Sequence, residues 1–143
     1  MSARRVSVRA GELVVTAGDV ALEADVHRGA VVCVRATAAS VGGACHIVAG
    51  RSTLDAAADS RRLAVRVASM AGPGGALEAS IVGGVAAREP DGALQAADAR
   101  ALESVCAALD AHGVRVVRMV PCGAAPRRLT FRVATGALDV RDR

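Results

Sequence analysis

Cysteine and histidine are the side chains of this sequence that are best suited to nucleophilic or metal chemistry. The cysteines are Cys33, Cys45, Cys106 and Cys122, and the histidines are His27, His46 and His112. No two cysteines have the Cys-x-x-Cys spacing that is typical of zinc knuckles and thioredoxin-like motifs. Cys45 directly precedes His46, but neighbouring residues on a strand point to opposite faces, so we do not expect them to act as a thiol–imidazole pair.

The overall composition excludes several classes of protein. The chain has one phenylalanine and no tyrosine or tryptophan, so it lacks the aromatic platforms on which nucleic-acid modules stack bases. All 18 basic residues are arginine, and they are scattered along the chain in blocks no longer than a pair. We therefore expect no nucleic-acid partner, although the net charge is +4. Hydrophobic residues make up 52% of the chain, which argues against disorder.

The apolar runs do not predict a membrane protein. The run at Leu13–Val15 is soon interrupted by Asp19, and no run approaches the roughly 18 residues that a membrane span requires. We recognise no secretory signal, so we expect no membrane insertion, a cytoplasmic location and reduced thiols. A length of 143 residues fits one domain over residues 1–143.

Apolar runs with the period of β-structure predict strands in both halves of the chain. The first half has candidate strands at Val6–Val8, Leu13–Val15, Val20–Val26, Ala30–Val34 and Cys45–Val48. The second half adds Leu77–Val82, Val114–Val117, Leu129–Val133 and Leu138–Val140. The run that begins at Val20 is weaker because Asp25 breaks it. Thr135-Gly136 predicts the turn of a closing hairpin.

Two segments have the caps and the periodicity of helices. Ser52-x-x-Asp55 resembles a capping box, so we predict a helix from Ser52 to about Ala71. Its apolar stripe is assigned to Leu54, Ala58, Val65, Ala68 and Met70. A second helix is predicted from about Ala97 to His112, after a loop at Arg88–Gly92. Its buried face is assigned to Leu102, Val105, Cys106 and Leu109. This mixture of strands and helices predicts an α+β (mixed α/β) fold.

Three segments in a fixed order carry a family resemblance. They are Val41–Ile47 (VGGACHI), Ala79–Gly84 (ASIVGG) and an ending that runs from Gly113 through Gly123, Arg127 and Phe131 to Thr135-Gly136 and Leu138. The first is similar to a Gly-Gly-Met-x-His segment and the second to an Ala-Lys-Ile-x-Gly-Gly segment. Together, from about Val8 to Val140, they resemble the chemoreceptor glutamine deamidases, the CheD family of bacterial chemotaxis.

The resemblance implies both a fold and a chemistry. The fold is a single-domain β-sandwich of mixed sheets flanked by two main helices. In the family, the cysteine of a Gly-Ser-Cys segment attacks a receptor glutamine amide, a histidine activates the thiol and a threonine orients the site. His46 takes the histidine position. Counted back without a gap, the triplet reads His27-Arg28-Gly29, so the cysteine position is Gly29, and the threonine position is Glu23.

The resemblance also implies partners and binding residues. Gly83, Gly84 and Arg127 match the family's motif positions and are candidate binding residues. The implied partners are methyl-accepting chemoreceptors and a CheC-like phosphatase, with no cofactor. Because Gly29 has no side chain, the nucleophile of the family is missing.

Three functions remain open from the sequence. The first is a deamidase that uses a displaced thiol such as Cys33 or Cys45. The second is an inactive module that binds chemoreceptors or a CheC-like phosphatase. The third is a divalent-metal site, because two carboxylates and two imidazoles would converge if the strands pair as in the family. Its ligands would be Glu23, Asp25, His27 and His46.

Overall fold

The computed structural model describes residues 3–87 and 92–143, which form nine strands and two helices. The strands are β1 (Arg4–Ser7), β2 (Leu13–Ala17), β3 (Val20–Val26), β4 (Ala30–Ala36), β5 (Val41–Ile47), β6 (Leu77–Gly83), β7 (Val114–Val120), β8 (Arg127–Arg132) and β9 (Leu138–Asp142). The helices are α1 (Thr53–Ala71) and α2 (Ala93–Ala111). Neither of these two described helices is long and apolar enough to cross a membrane. Of the loop predicted at Arg88–Gly92, all but Gly92 lies outside the described residues.

The strands form two mixed sheets. The four-stranded sheet has the order β1-β3-β8-β9, in which β1 and β3 are parallel and the other pairs are antiparallel. The five-stranded sheet has the order β2-β5-β4-β6-β7, in which β6 and β7 are parallel and the other pairs are antiparallel. Because β3 pairs with β8, the beginning and the end of the chain belong to one domain.

The molecule has three layers, which pack against one another through two hydrophobic cores. One core lies between the five-stranded sheet and both helices, and it includes Val32, Ile81, Leu63 and Leu109. The other lies between the two sheets, and it includes Leu22, Phe131, Val31 and Val82. The layers are therefore helices, five-stranded sheet and four-stranded sheet. This arrangement confirms the predicted α+β fold, a sandwich of mixed sheets flanked by two helices.

Helix α1 begins as predicted but buries a different face. The Ser52 hydroxyl caps it by accepting a hydrogen bond from the Asp55 backbone N–H at 3.1 Å. The predicted apolar stripe is wrong, because Leu54 is 79% exposed and Met70 is 53% exposed. The buried residues are Ala56, Ala57, Ser60, Leu63, Ala64 and Val67. Small residues on this face let the helix pack closely on the sheet. A prediction that ranks residues by hydrophobicity does not identify such a face.

Two other boundaries differ from the prediction. Helix α2 begins at Ala93 rather than at about Ala97, although its buried residues Val105 and Leu109 are as predicted. Strand β3 continues through Asp25 without a break, because this side chain is exposed and needs no place in the core. A charged side chain that faces solvent interrupts the hydrophobic pattern of a strand but not the strand itself.

Candidate functional site

A cleft of about 460 Å³ opens at one end of the five-stranded sheet. Its walls are the start of β4, the chain after β5, the first turns of α1, the first half of α2 and Cys122 in the loop after β7. Gly29, which takes the nucleophile position in the resemblance, lies on this wall. Concave, partly apolar surfaces of this size are where proteins usually bind ligands, so the cleft is the candidate functional site.

Gly29 lies in the turn between β3 and β4, in a conformation that favours glycine. Its φ angle is +105°, in the region that L side chains rarely adopt. A Cβ at this position would overlap the Ile47 carbonyl oxygen and lie 3.1 Å from the Ala49 backbone nitrogen. On its other side, the turn accepts a hydrogen bond from the Gly84 N–H to the Gly29 carbonyl at 3.0 Å. The position thus lacks a thiol, and the surrounding backbone leaves no room for one.

His46 is buried between the two sheets and does not line the cleft. Ala44 belongs to the core between the sheets, so His46, two residues further along β5, points the same way. The residue is 6% exposed, and its Nδ1 atom has no hydrogen-bond partner within residues 3–87 and 92–143. Burial lowers the pKa of His46, and a hydrogen bond with the Val8 backbone partly offsets this effect. The imidazole is therefore neutral at neutral pH.

Glu23 points to the outer face of the four-stranded sheet. Its neighbours Leu22 and Ala24 are buried between the sheets, so alternation along β3 turns Glu23 outward. There the carboxylate forms ion pairs with Arg5 at 3.0 Å and Arg128 at 3.3 Å. The four-stranded sheet separates Glu23 from the inter-sheet space that holds His46, so the two side chains do not meet.

We refer to Glu23, Gly29 and His46 as the reaction positions. The sheet register brings the backbones of two of them close, because Val31, two residues after Gly29, pairs with His46. Gly29 itself precedes β4 and has no side chain, so this pairing brings no nucleophilic side chain to His46.

The four thiols are not activated. All four cysteines are free, and burial raises the pKa of each thiol. Cys33 pairs with Ala44 and so shares the face of His46, but it is fully buried. On the opposite face, the pKa of Cys45 is raised to about 12. Since the thiolate is the reactive form of cysteine, neither thiol is suited to act as a nucleophile.

Cys122 is the cysteine that lines the cleft together with Gly29. Burial and the nearby carboxylate of Asp98 raise its pKa, and the guanidinium of Arg127 lowers it by a smaller amount. The net effect favours the protonated thiol. Cys122 therefore has the right location for a displaced nucleophile but the wrong electrostatic surroundings.

Gly83 and Gly84 lie where β6 ends against two loops. A Cβ on Gly84 would overlap the His27 carbonyl oxygen, and one on Gly83 would lie 2.8 Å from the Cys122 sulfur. Only glycine lets the backbones approach this closely. Neither glycine lines the cleft; both fix the loops that do.

Arg127 completes this contact from β8. Its Nη1 donates a hydrogen bond to the Gly83 carbonyl at 2.7 Å and another to the Pro121 carbonyl. The side chain thereby ties the loop after β7 to the end of β6. We refer to Gly83, Gly84 and Arg127 as the β6 clamp, which holds the cleft walls without reaching the ligand space.

The residues of the predicted metal site lie apart. In residues 3–87 and 92–143, no three His, Cys, Asp or Glu side chains are grouped as metal ligands. Asp25 faces solvent and forms an ion pair with Arg143 at 3.1 Å, and His27 is also exposed. Because His46 is buried on the other side of the four-stranded sheet, the structure does not assemble a site from these residues.

Sequence reasoning missed a salt bridge across the cleft. Arg28 Nη2 lies 3.1 Å from Asp98 Oδ2 and links the β3–β4 turn to α2. The two residues are 70 positions apart, so no local pattern predicts their pairing. The one available signal was that Arg28 takes the place of the serine beside the nucleophile position.

No protein-family model matches the chain, and no curated protein matches it closely enough to indicate a relative. The resemblance to the chemoreceptor glutamine deamidases is therefore an expectation from the sequence alone, based on the order and spacing of the three segments.

Proposed function

We propose that this chain is a non-catalytic relative of the chemoreceptor glutamine deamidases that binds chemoreceptors without converting their glutamines. The three ordered segments support the relationship. The proposed absence of activity rests on one observation. Gly29 has no thiol, and its turn would force a Cβ onto the Ile47 carbonyl oxygen. An acyl-transfer enzyme of this type needs an activated nucleophile beside its base.

The proposal includes a cytoplasmic location. All four cysteines are free, and Cys33 and Cys45 lie in different cores on opposite faces of the five-stranded sheet. Free thiols that are not arranged as disulfides fit a reducing compartment.

The rim of the cleft is suited to a macromolecular partner. Val48 and Leu94 line the cleft and are 38% and 44% exposed, and Leu54, beside the lining residue Thr53, is 79% exposed. Exposed apolar side chains grouped around a cavity are typical of interaction sites. A CheC-like phosphatase is the alternative partner, and it would compete with the receptor for this cleft.

The proposal is tested by mixing the protein with cytoplasmic fragments of chemoreceptors and measuring both association and fragment mass. We expect association and no amide-to-carboxylate mass increase. Ala97→Glu, which places a carboxylate side chain into the cleft, should abolish association. Ala96→Glu is the matched control, because Ala96 is exposed on the same helix and does not line the cleft.

Two results would overturn the proposal in different ways. A mass increase that disappears in Cys122→Ala would show deamidation by a displaced thiol. No association with either receptor fragments or a CheC-like phosphatase would reject the binding function.

A further inference from the structure

Cations outnumber anions on the wall of the cleft. Its described lining includes three arginines, Arg28, Arg51 and Arg100, and a single carboxylate, Asp98. Arginine side chains in a partly apolar cavity attract anionic groups, since the low dielectric strengthens the interaction. The cleft is therefore electrostatically suited to an anion rather than to a neutral amide.

The three arginines differ in how far they are already neutralised. Arg51 is held by Asp59, with Nε and Nη2 at 2.7 and 3.2 Å from its two carboxylate oxygens. Arg28 uses Nη2 for Asp98, while its Nε is buried and has no hydrogen-bond partner among the described residues. Arg100 forms no ion pair with any residue in the described part of the chain. Arg28 and Arg100 are thus the lining arginines that the described carboxylates neutralise least.

A carboxylate is the anion that fits these donors best. The Arg28 side chain is 35% exposed, so a carboxylate that enters the cleft would take the place of Asp98 and accept charge-assisted hydrogen bonds from the guanidinium. The apolar part of the lining, which includes Ala56, Leu102 and Val105, suits the methylene groups that carry such a carboxylate.

We propose that the cleft recognises a glutamate or aspartate side chain on its partner and discriminates against glutamine. If the partner is a chemoreceptor, as the proposed function states, the protein binds the glutamate form of the receptor in preference to the glutamine form. Arg28 is the principal specificity residue, and Asp98 occupies its guanidinium when no partner is bound.

The test compares one receptor cytoplasmic fragment in two forms, with its modifiable positions either all glutamine or all glutamate. The glutamate form should bind about tenfold tighter, as expected for one hydrogen bond to a charged group. Arg28→Gln should remove this preference, whereas Arg61→Gln, an exposed residue of α1 outside the cleft, should keep it. Asp98→Asn, which frees the Arg28 guanidinium, should increase the preference. Equal affinity for the two forms, or tighter binding of the glutamine form, would overturn the inference.

The inference remains testable if neither receptor form binds. Wild-type protein is then titrated with N-acetylglutamate and N-acetylglutamine while the backbone amide signals of Gly29 and Ala30 are followed by NMR. Shifts with the glutamate derivative alone would support carboxylate recognition and reject the chemoreceptor as partner. No shift with either compound, or equal shifts with both, would reject carboxylate recognition.

Discussion

The β6 clamp and the reaction positions are constructed in opposite ways. In the clamp, Gly83 and Gly84 touch neighbouring backbone so closely that a Cβ would collide, and Arg127 is bound to two carbonyl groups. The reaction positions have no common contact. Glu23 is paired with arginines outside the sandwich, His46 is buried within it, and Gly29 has no side chain.

The difference shows which parts of such a fold are required by packing alone. The clamp glycines are needed for the chain to close around the cleft, whether or not a reaction takes place there. A nucleophile, a base and an orienting group are needed only for the reaction. A chain can therefore have the clamp and the cleft without the side chains that a deamidase would use.

The largest effect is expected from breaking the clamp. Gly84→Ala should lower the free energy of unfolding by about 3 kcal/mol, because its Cβ meets the His27 carbonyl oxygen and lies 2.8 Å from Val26 Cγ1. Urea denaturation measures the change. Gly75→Ala is the matched control, since a Cβ there meets nothing within 4 Å, and its effect should stay within about 0.5 kcal/mol. Equal stability of the two variants would mean that the clamp is not a packing requirement.

A smaller loss of stability is expected at the nucleophile position. Gly29→Cys should destabilise the protein by about 2 kcal/mol, because a non-glycine residue at φ +105° is strained and its Cβ overlaps the Ile47 carbonyl oxygen. The loss is smaller than for Gly84→Ala because the half-exposed turn can shift. We expect this variant to remain inactive towards receptor glutamines. A stable variant that deamidates receptor fragments would show instead that a single substitution separates this chain from an active enzyme.

Much of the fold could be predicted from local sequence. The Ser52 cap, the buried face of α2 around Val105 and Leu109, and the Thr135-Gly136 turn follow from short patterns, and the structure has all three. The buried face of α1 could not be predicted in the same way. Its contacts are made mainly by alanines, and only the approach of the sheet decides which alanines are buried.

The site was harder to predict because it depends on pairing between distant strands. The sequence assigned Gly29 and His46 to one site from a single ungapped segment, but in the structure Gly29 lines the cleft while His46 is buried between the sheets. It could not show that Glu23 faces outward, because that direction depends on which face of β3 meets the other sheet. Local sequence patterns also could not predict the Arg28–Asp98 salt bridge, since it forms only when α2 packs beside the β3–β4 turn.

A modest pH effect is expected from the buried reaction position. Because burial lowers the pKa of His46 in the folded protein, the unfolded chain binds its proton more readily. The contribution of His46 to stability should therefore be complete above the unfolded pKa of about 6.5 and should be lost progressively as the pH falls below it. Urea denaturation of wild type and His46→Leu at pH 7.5 and 5.5 tests this, with His112→Gln as the exposed control. An equal fall in stability for wild type and His46→Leu would show that His46 is not the group responsible.

The central claim is that the cleft has packed walls but contains no activated thiol. Alkylation of the native protein tests this claim most directly. Iodoacetamide is added between pH 6 and 9, and the modification of each cysteine is followed by peptide mass spectrometry. We predict slow reaction of Cys122 that rises only towards the alkaline end, since its pKa is raised, and protection of Cys33 and Cys45 until the protein unfolds. Rapid alkylation of any one of the four cysteines near pH 6 would reveal a stabilised thiolate and contradict the account.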